Sequence, residues 1–268
     1  MTRIGFVQSE PRFGEPAANV ERLGAQVRRV EADLLVLPEL CHSGYLFRAR
    51  AEVARLAEPI PDGPTSRALL ALARERKTTL VAGICERDGE RFYNSAAVYT
   101  PAGLAGVYRK IHLFKDEKLY FTPGDRPLAV FPVAGIHVGV IVCFDWRFPE
   151  ATRVLALAGA DVIAHPANLV MPYCQDVMRA RAIENRVFAV TANRTGADER
   201  PGGAREEFTG QSQVVDPDGL LLVRAADHGE AEGVVDVDLE AARRKRVTER
   251  NDLFADRRPE FYRSLAEG

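Results

Sequence analysis

Several residues able to do chemistry stand where apolar runs end. Val138-Gly-Val-Ile-Val142 is a β-branched stretch of the kind buried on both faces of a sheet, and it stops at Cys143. Phe144-Asp-Trp-Arg-Phe-Pro149 follows, and a helical pattern then begins near Glu150 and runs to Gly159. Cys143 is thereby predicted on a sharp strand-to-helix turn, where α/β proteins gather functional groups. A buried structural thiol is the ordinary alternative for any cysteine. Asp33-Leu-Leu-Val-Leu-Pro38 delivers Glu39 in the same way, and Asp161-Val-Ile-Ala-His165 delivers His165 and then Asn168.

Hydrolysis through a cysteine needs a base for the thiol proton, donors for the oxyanion and an acid for the leaving group. Two arrangements offer these. In one, His165 is the base, although Val142 and Phe144 flank the cysteine where a nucleophile elbow carries glycines. In the other, Glu39 is the base and Lys110 supplies a fixed positive charge. Residue by residue, Pro38-Glu39 reads equally well as a surface turn, and Arg109-Lys110 as a basic pair on an edge strand. The types alone leave both arrangements open.

The elements that must position these groups alternate. Strand patterns are predicted over 4–8, 33–38, 79–84, 129–133, 136–142, 161–165 and 187–190, with helical spacing over 19–30, 65–76, 150–159, 175–186 and 239–245. Hairpin-type patterns occupy 91–109 and 212–237, turned at Asp88-Gly89, Pro101-Ala-Gly103 and Pro217-Asp-Gly219. This is a layered α/β fold with mixed sheets, one or two in number.

The 268 residues are 46% hydrophobic and 28% charged, which excludes a disordered chain. A formal net charge of -2 gives no footprint for nucleic acid or anionic lipid, and Arg243-Arg-Lys-Arg246 reads as a solvated helix face. Cys41, Cys85, Cys143 and Cys174 show no zinc-like spacing, and no apolar run reaches spanning length. With no leader pattern after Met1, a soluble cytoplasmic protein with free thiols is expected, without metal or cofactor.

Three motifs taken together go further. Leu37-Pro-Glu39, then Tyr108-Arg-Lys110-Ile-His-Leu-Phe114, then Cys143-Phe-Asp-Trp-Arg-Phe-Pro-Glu150 resemble, in order and spacing, the signature set of the nitrilase superfamily of carbon–nitrogen hydrolases. The resemblance extends from Gln8 to Asn251-Asp-Leu-Phe254 and Arg257-Arg258. It implies a single domain over 1–268 built as a four-layer α-β-β-α sandwich with two mixed β-sheets. It also implies a Glu39/Lys110/Cys143 triad, with Glu117 as a second active-site glutamate, and a homodimer or higher homo-oligomer.

On that basis the Lys110 ammonium is expected to favour thiolate at Cys143. Lys110 and the Phe144 N–H would hold the oxyanion, and Tyr45 and Asn168 would join Phe144 in binding substrate. Arg147 and Glu150 are expected to pair or to cap the next helix. The motif texture after Cys143 is similar to the amidase-type branch, so cleavage of a small linear amide through a thioester is the leading expectation. His165-Pro-Ala-Asn-Leu-Val-Met-Pro-Tyr173 and the tail instead resemble a thermophilic group containing small aliphatic dinitrile hydrolases, which keeps a nitrilase as the alternative. A non-catalytic interaction protein is the third expectation, and the intact residue set weighs against it. Finally, Leu253, Phe254, Phe261 and Tyr262 on an aperiodic tail, 246–268, predict packing across the dimer interface.

Overall fold

The structure is a computed structural model that describes residues 1–266. Its first half runs β1 (Thr2–Gln8), α1 (Pro16–Arg29), β2 (Leu34–Val36), α2 (Arg50–Leu56) and α3 (Pro64–Arg76). A meander follows, β3 (Thr79–Asp88), β4 (Arg91–Thr100) and β5 (Gly103–Arg109), and then the single turn α4 (Glu117–Tyr120). The second half opens with β6 (Val130–Val133), β7 (Ile136–Val140), α5 (Pro149–Leu157), β8 (Val162–Ala167), α6 (Cys174–Asn185) and β9 (Phe188–Asn193). It closes with β10 (Ala197–Arg200), β11 (Ala204–Glu207), β12 (Gln213–Val215), β13 (Leu221–Arg224), β14 (Ala231–Val237) and α7 (Glu240–Arg243).

There are two principal sheets. One has the order β14-β1-β2-β3-β4-β5, the other β13-β12-β9-β8-β7-β6, and β10-β11 form a separate hairpin. Each sheet has a parallel centre, β1-β2-β3 and β7-β8-β9, with antiparallel neighbours outside it. The period of two along a strand separates the layers. Leu34 and Val36 of β2 join Ile4, Phe6 and the second sheet in one core, while Leu35 and Leu37 point the other way onto Leu23, Val27, Leu69 and Leu72 of α1 and α3. Helices α5 and α6 cover the second sheet through Leu155, Met178 and Ala182. The result is the α-β-β-α sandwich, with two mixed sheets.

Three short elements escaped the sequence: α2, α4 and the β10–β11 hairpin. Each is too short to show a period, and the hairpin strands Ala-Asp-Glu-Arg and Ala-Arg-Glu-Glu carry almost no apolar residue. Helix α7 is shorter than expected, and its basic run is not simply solvated. Arg243 is bound to Asp161 and Glu240, and Lys245 donates to the carbonyls of Asn185 and Arg186. Among the described residues no helix is long and apolar enough to cross a membrane.

Candidate active site

Cys143 lies between β7 and α5, on a strand-to-helix turn as expected. Cys143–Arg147 form a 3-10 turn, and Cys143 itself has φ of 41°, a left-handed conformation that costs a non-glycine residue on the order of 1–3 kcal/mol. The turn is clamped on both sides. Asp145 Oδ2 accepts from the Val142 N–H at 2.8 Å and the Tyr108 hydroxyl at 2.7 Å. Its Oδ1 accepts from the His112 N–H at 3.2 Å and lies 2.7 Å from the His112 ring, which stacks on Phe148. Opposite, His165 Nε2 lies 3.0 Å from the Cys143 carbonyl oxygen. His165 therefore holds backbone rather than the thiol. Burial, the largest influence, drives its ring down to about 4, against the Cys143 carbonyl, which favours the proton.

Glu39 lies just beyond β2 and Lys110 just beyond β5, both in the first sheet, whereas Cys143 belongs to the second. The crevice is therefore formed between the two facing sheets. Gly83 of β3 lets the chain leaving β2 lie close beside it within the first sheet, because a Cβ there would sit 2.3 Å from the Glu39 Cα. Lys110 Nζ donates at 2.8 Å to Glu39 Oε1 and at 2.8 Å to Glu117 Oε1. Glu117, on the turn α4, also accepts from the Tyr45 hydroxyl at 2.9 Å and, through Oε2, from the Phe114 N–H at 3.2 Å. All three charged side chains are buried.

Burial taken alone would lower the lysine, but the carboxylates of Glu117 and Glu39 outweigh it and hold the ammonium well above its ordinary value. Burial pushes the Glu117 carboxyl up, Lys110 pulls it down, and the like charge of Glu39 adds to the rise. Cys143 departs from expectation. Burial pushes its thiol well up, Glu39 reinforces that, and Lys110 opposes it without prevailing. Burial thus favours the protonated thiol at Cys143, against the pull of Lys110.

The remaining candidates divide. Cys143 and Asn168 line one small cleft with Phe114, Phe144, Trp146 and Met171. Asn168 follows β8, parallel to β7, and its backbone carbonyl lies 3.7 Å from the Cys143 sulfur. Its side-chain Nδ2 and Oδ1 are both buried without a protein partner. Phe144 packs between Phe114 and Phe148. Tyr45 spends its hydroxyl on Glu117, and its backbone N–H, with that of Leu46, is fixed by Asp198. Arg147 and Glu150 were expected to pair or to cap the next helix: Glu150 sits in the first turn of α5, whereas Arg147 lies over the Trp146 ring. Two contributors had no sequence signal of their own. Asn94, inside β4, donates to Glu39, and Asp145 is the hub of the turn.

Residues 3–247 match the carbon–nitrogen hydrolase family. Along its whole length the chain is similar to a nitrilase of Pyrococcus abyssi, at 47% identity over 98% of this chain and 99% of that one. It is 38% identical to an (R)-stereoselective amidase of a Pseudomonas species, over 96% and 91% of the two chains. Among solved structures, a carbon–nitrogen hydrolase from Helicobacter pylori G27 superimposes with a TM-score of 0.87 at 28% identity, covering 99% of this chain and 98% of that one. An amidase from Nesterenkonia sp. AN1, whose active-site cysteine carries the acetamide moiety of fluoroacetamide, matches with a TM-score of 0.80 at 26% identity over 98% and 96%. Fold, motif spacing and these likenesses agree: the chain belongs to the carbon–nitrogen hydrolase family of the nitrilase superfamily and is an enzyme of that kind.

Proposed function

We propose that this enzyme cleaves the C–N bond of a small, uncharged linear amide, with Cys143 as nucleophile, Glu39 as base and acid, and Lys110 as electrophilic partner. The observation that carries the reading is Lys110 bridging two buried carboxylates beside the thiol. An ammonium has three N–H donors. Two are used by Glu39 and Glu117, and the third is available to an oxyanion.

Glu39 takes the thiol proton as sulfur attacks the carbonyl carbon. The oxyanion is held by Lys110 and the Phe144 N–H, each such donor contributing about 10²–10³ in kcat. Glu39 returns the proton to the departing nitrogen, the C–N bond breaks, and a thioester and ammonia result. Glu39 then takes a proton from water as its oxygen attacks the thioester carbon, and passes that proton to the departing Cys143 sulfur, which releases the carboxylic acid product and restores the thiol. Glu117 and Tyr45 keep Lys110 oriented, and Asn168 meets the substrate's polar group with its two unpartnered atoms.

The uncharged cleft lining supports a compact apolar acyl part. We further propose that residues 1–268 act as one domain in a cytoplasmic homodimer, with the tail at its interface. A second reading, attack on a small aliphatic nitrile through a thioimidate, is favoured by the 47% identity to a nitrilase. Ammonia release from paired amides and nitriles of one carbon skeleton tests both. Faster amide turnover is expected, faster nitrile turnover assigns the enzyme to the second reading, and no release from either defeats both.

A further inference from the structure

The two oxygens of Glu39 are not equivalent. Oε1 accepts from Lys110 Nζ at 2.8 Å and from Asn94 Nδ2 at 2.6 Å. Oε2 is buried and, among the described residues, accepts from no protein group. Asn94 is fully buried in β4, where it lies opposite Cys85 of β3, and its backbone carbonyl accepts from the Lys110 N–H at 2.8 Å. One residue thus fixes the carboxylate through its side chain and the lysine through its backbone.

The orientation of the Asn94 amide follows from chemistry. A carboxylate only accepts, so the group facing Glu39 at this distance must be the NH2 and not the oxygen. That choice leaves Asn94 Oδ1 buried without a partner. An aliphatic side chain of similar size would leave no orphan oxygen, so packing does not account for an asparagine here.

We propose that Asn94 is a positioning residue that occupies Oε1 and so reserves Oε2 as the oxygen that receives the Cys143 proton. The inference rests on the reading of Glu39 as the base. Without Asn94 the carboxylate plane is held by Lys110 alone and can swing about its broad terminal torsion, so the free oxygen is no longer aimed in one direction. An oxygen already bound to the ammonium is a poor proton acceptor.

The test uses Asn94→Leu and Asn94→Asp, with Glu39→Gln in parallel, on the full chain. Propionamide turnover, thermal melting and the pH dependence of Cys143 alkylation by iodoacetamide are measured. For Asn94→Leu, kcat is expected to fall roughly 10–100-fold, part of the ~10²–10⁴ that a positioned base contributes, with KM within about threefold and alkylation slowed. Asn94→Asp should regain activity as pH falls, because only the protonated acid can donate to Glu39; a purely structural residue would give no such inversion. A folded Asn94→Leu enzyme with kcat within about threefold of the parent overturns the proposal. If that variant does not fold, an Asn94→Asp pH profile shaped like the parent's overturns it instead. Full activity in Glu39→Gln, by contrast, rejects the base assignment itself, and alkylation reports on the thiol even where propionamide is not turned over.

Discussion

His165 Nε2 lies 3.0 Å from the carbonyl oxygen of Cys143, and its Nδ1 lies 3.1 Å from the Thr191 hydroxyl. A carbonyl can only accept, so Nε2 carries the proton and Nδ1 accepts from Thr191. His165 therefore braces a left-handed residue and has no free nitrogen for the Cys143 thiol.

A pH dependence of stability follows. The folded ring titrates near 4, and the unfolded ring near 6.5. Between those values the unfolded chain binds a proton that the folded chain refuses, so stability rises with pH. The contribution is complete above 6.5, falls away toward 4, and amounts to on the order of 3 kcal/mol. His165→Gln retains an N–H for the Cys143 carbonyl but cannot titrate. Its melting temperature should fall less steeply than the parent's between pH 6.5 and 4.5. His42, also buried and lowered, adds the same slope to both proteins. Parallel melting curves would show that His165 does not titrate in this window.

The second expectation concerns the thiols. Burial raises all four, Cys41 to about 12 and the others beyond the ordinary range. Selectivity must then come from access, and Cys143 is the thiol that lines the cleft. Iodoacetamide should modify Cys143 at one equivalent with loss of activity. Its rate should still be climbing above pH ~8.5, the ordinary thiol value. A plateau reached below pH 7 would mean a resting thiolate, and Cys143→Ala with appreciable activity would remove the nucleophile from the mechanism.

Which parts of this were legible in the sequence has a physical explanation. Glu39, Lys110 and Cys143 each end an apolar or strand-like run, but it was the resemblance of three ordered motifs to the family, and not pattern alone, that grouped them. The central strands were readable because both faces are buried and their runs are continuous. Asn94 sits inside a strand, Asp145 looks like one more charge in a turn, and Asp198 lies in a hairpin without alternation. Their importance comes from partners 30 or more residues away, as between Asn94 and Glu39, Asp145 and Tyr108, and Asp198 and Tyr45. Lys110 does pull Cys143 toward thiolate, as expected, but the opposing effect of burial was not foreseen, because a lysine is visible as a residue type whereas burial is not.

The third expectation is non-additivity. Lys110 and Glu39 share one hydrogen bond of 2.8 Å with no exposure on either side. Glu39→Gln keeps shape but cannot shuttle a proton, and Lys110→Met keeps length without charge. Each should lose at least about 10³ in kcat, and the double variant little more than either single one. Lys110→Met also leaves two buried carboxylates unpaired, so it should melt lower than Glu39→Gln. Multiplicative losses in kcat would show that the two groups act independently.

The fourth concerns the tail, which the structure divides in two. Up to residue 256 it is tied to its own subunit: Phe254 packs against the main core and lies under the Arg153 guanidinium, and the Leu253 N–H donates to the Lys245 carbonyl. Beyond that, Phe261 is 68% exposed and Leu265 69%, beside an open cavity of about 590 Å³ bordered by Arg153, Glu184 and Tyr262. Covering each large apolar group contributes roughly 1.5–3 kcal/mol, and a two-fold axis would cover two sets at once. A second copy of this chain is the occupant we expect. Deleting 259–268 should then give a folded monomer with an almost unchanged melting temperature, whereas deleting 246–268 should also lower the melting temperature by removing Phe254. Light scattering on size-exclusion fractions at micromolar concentration reads both. An intact chain that elutes as a monomer would defeat the dimer, and a dimer that survives the shorter deletion would place its interface away from the tail.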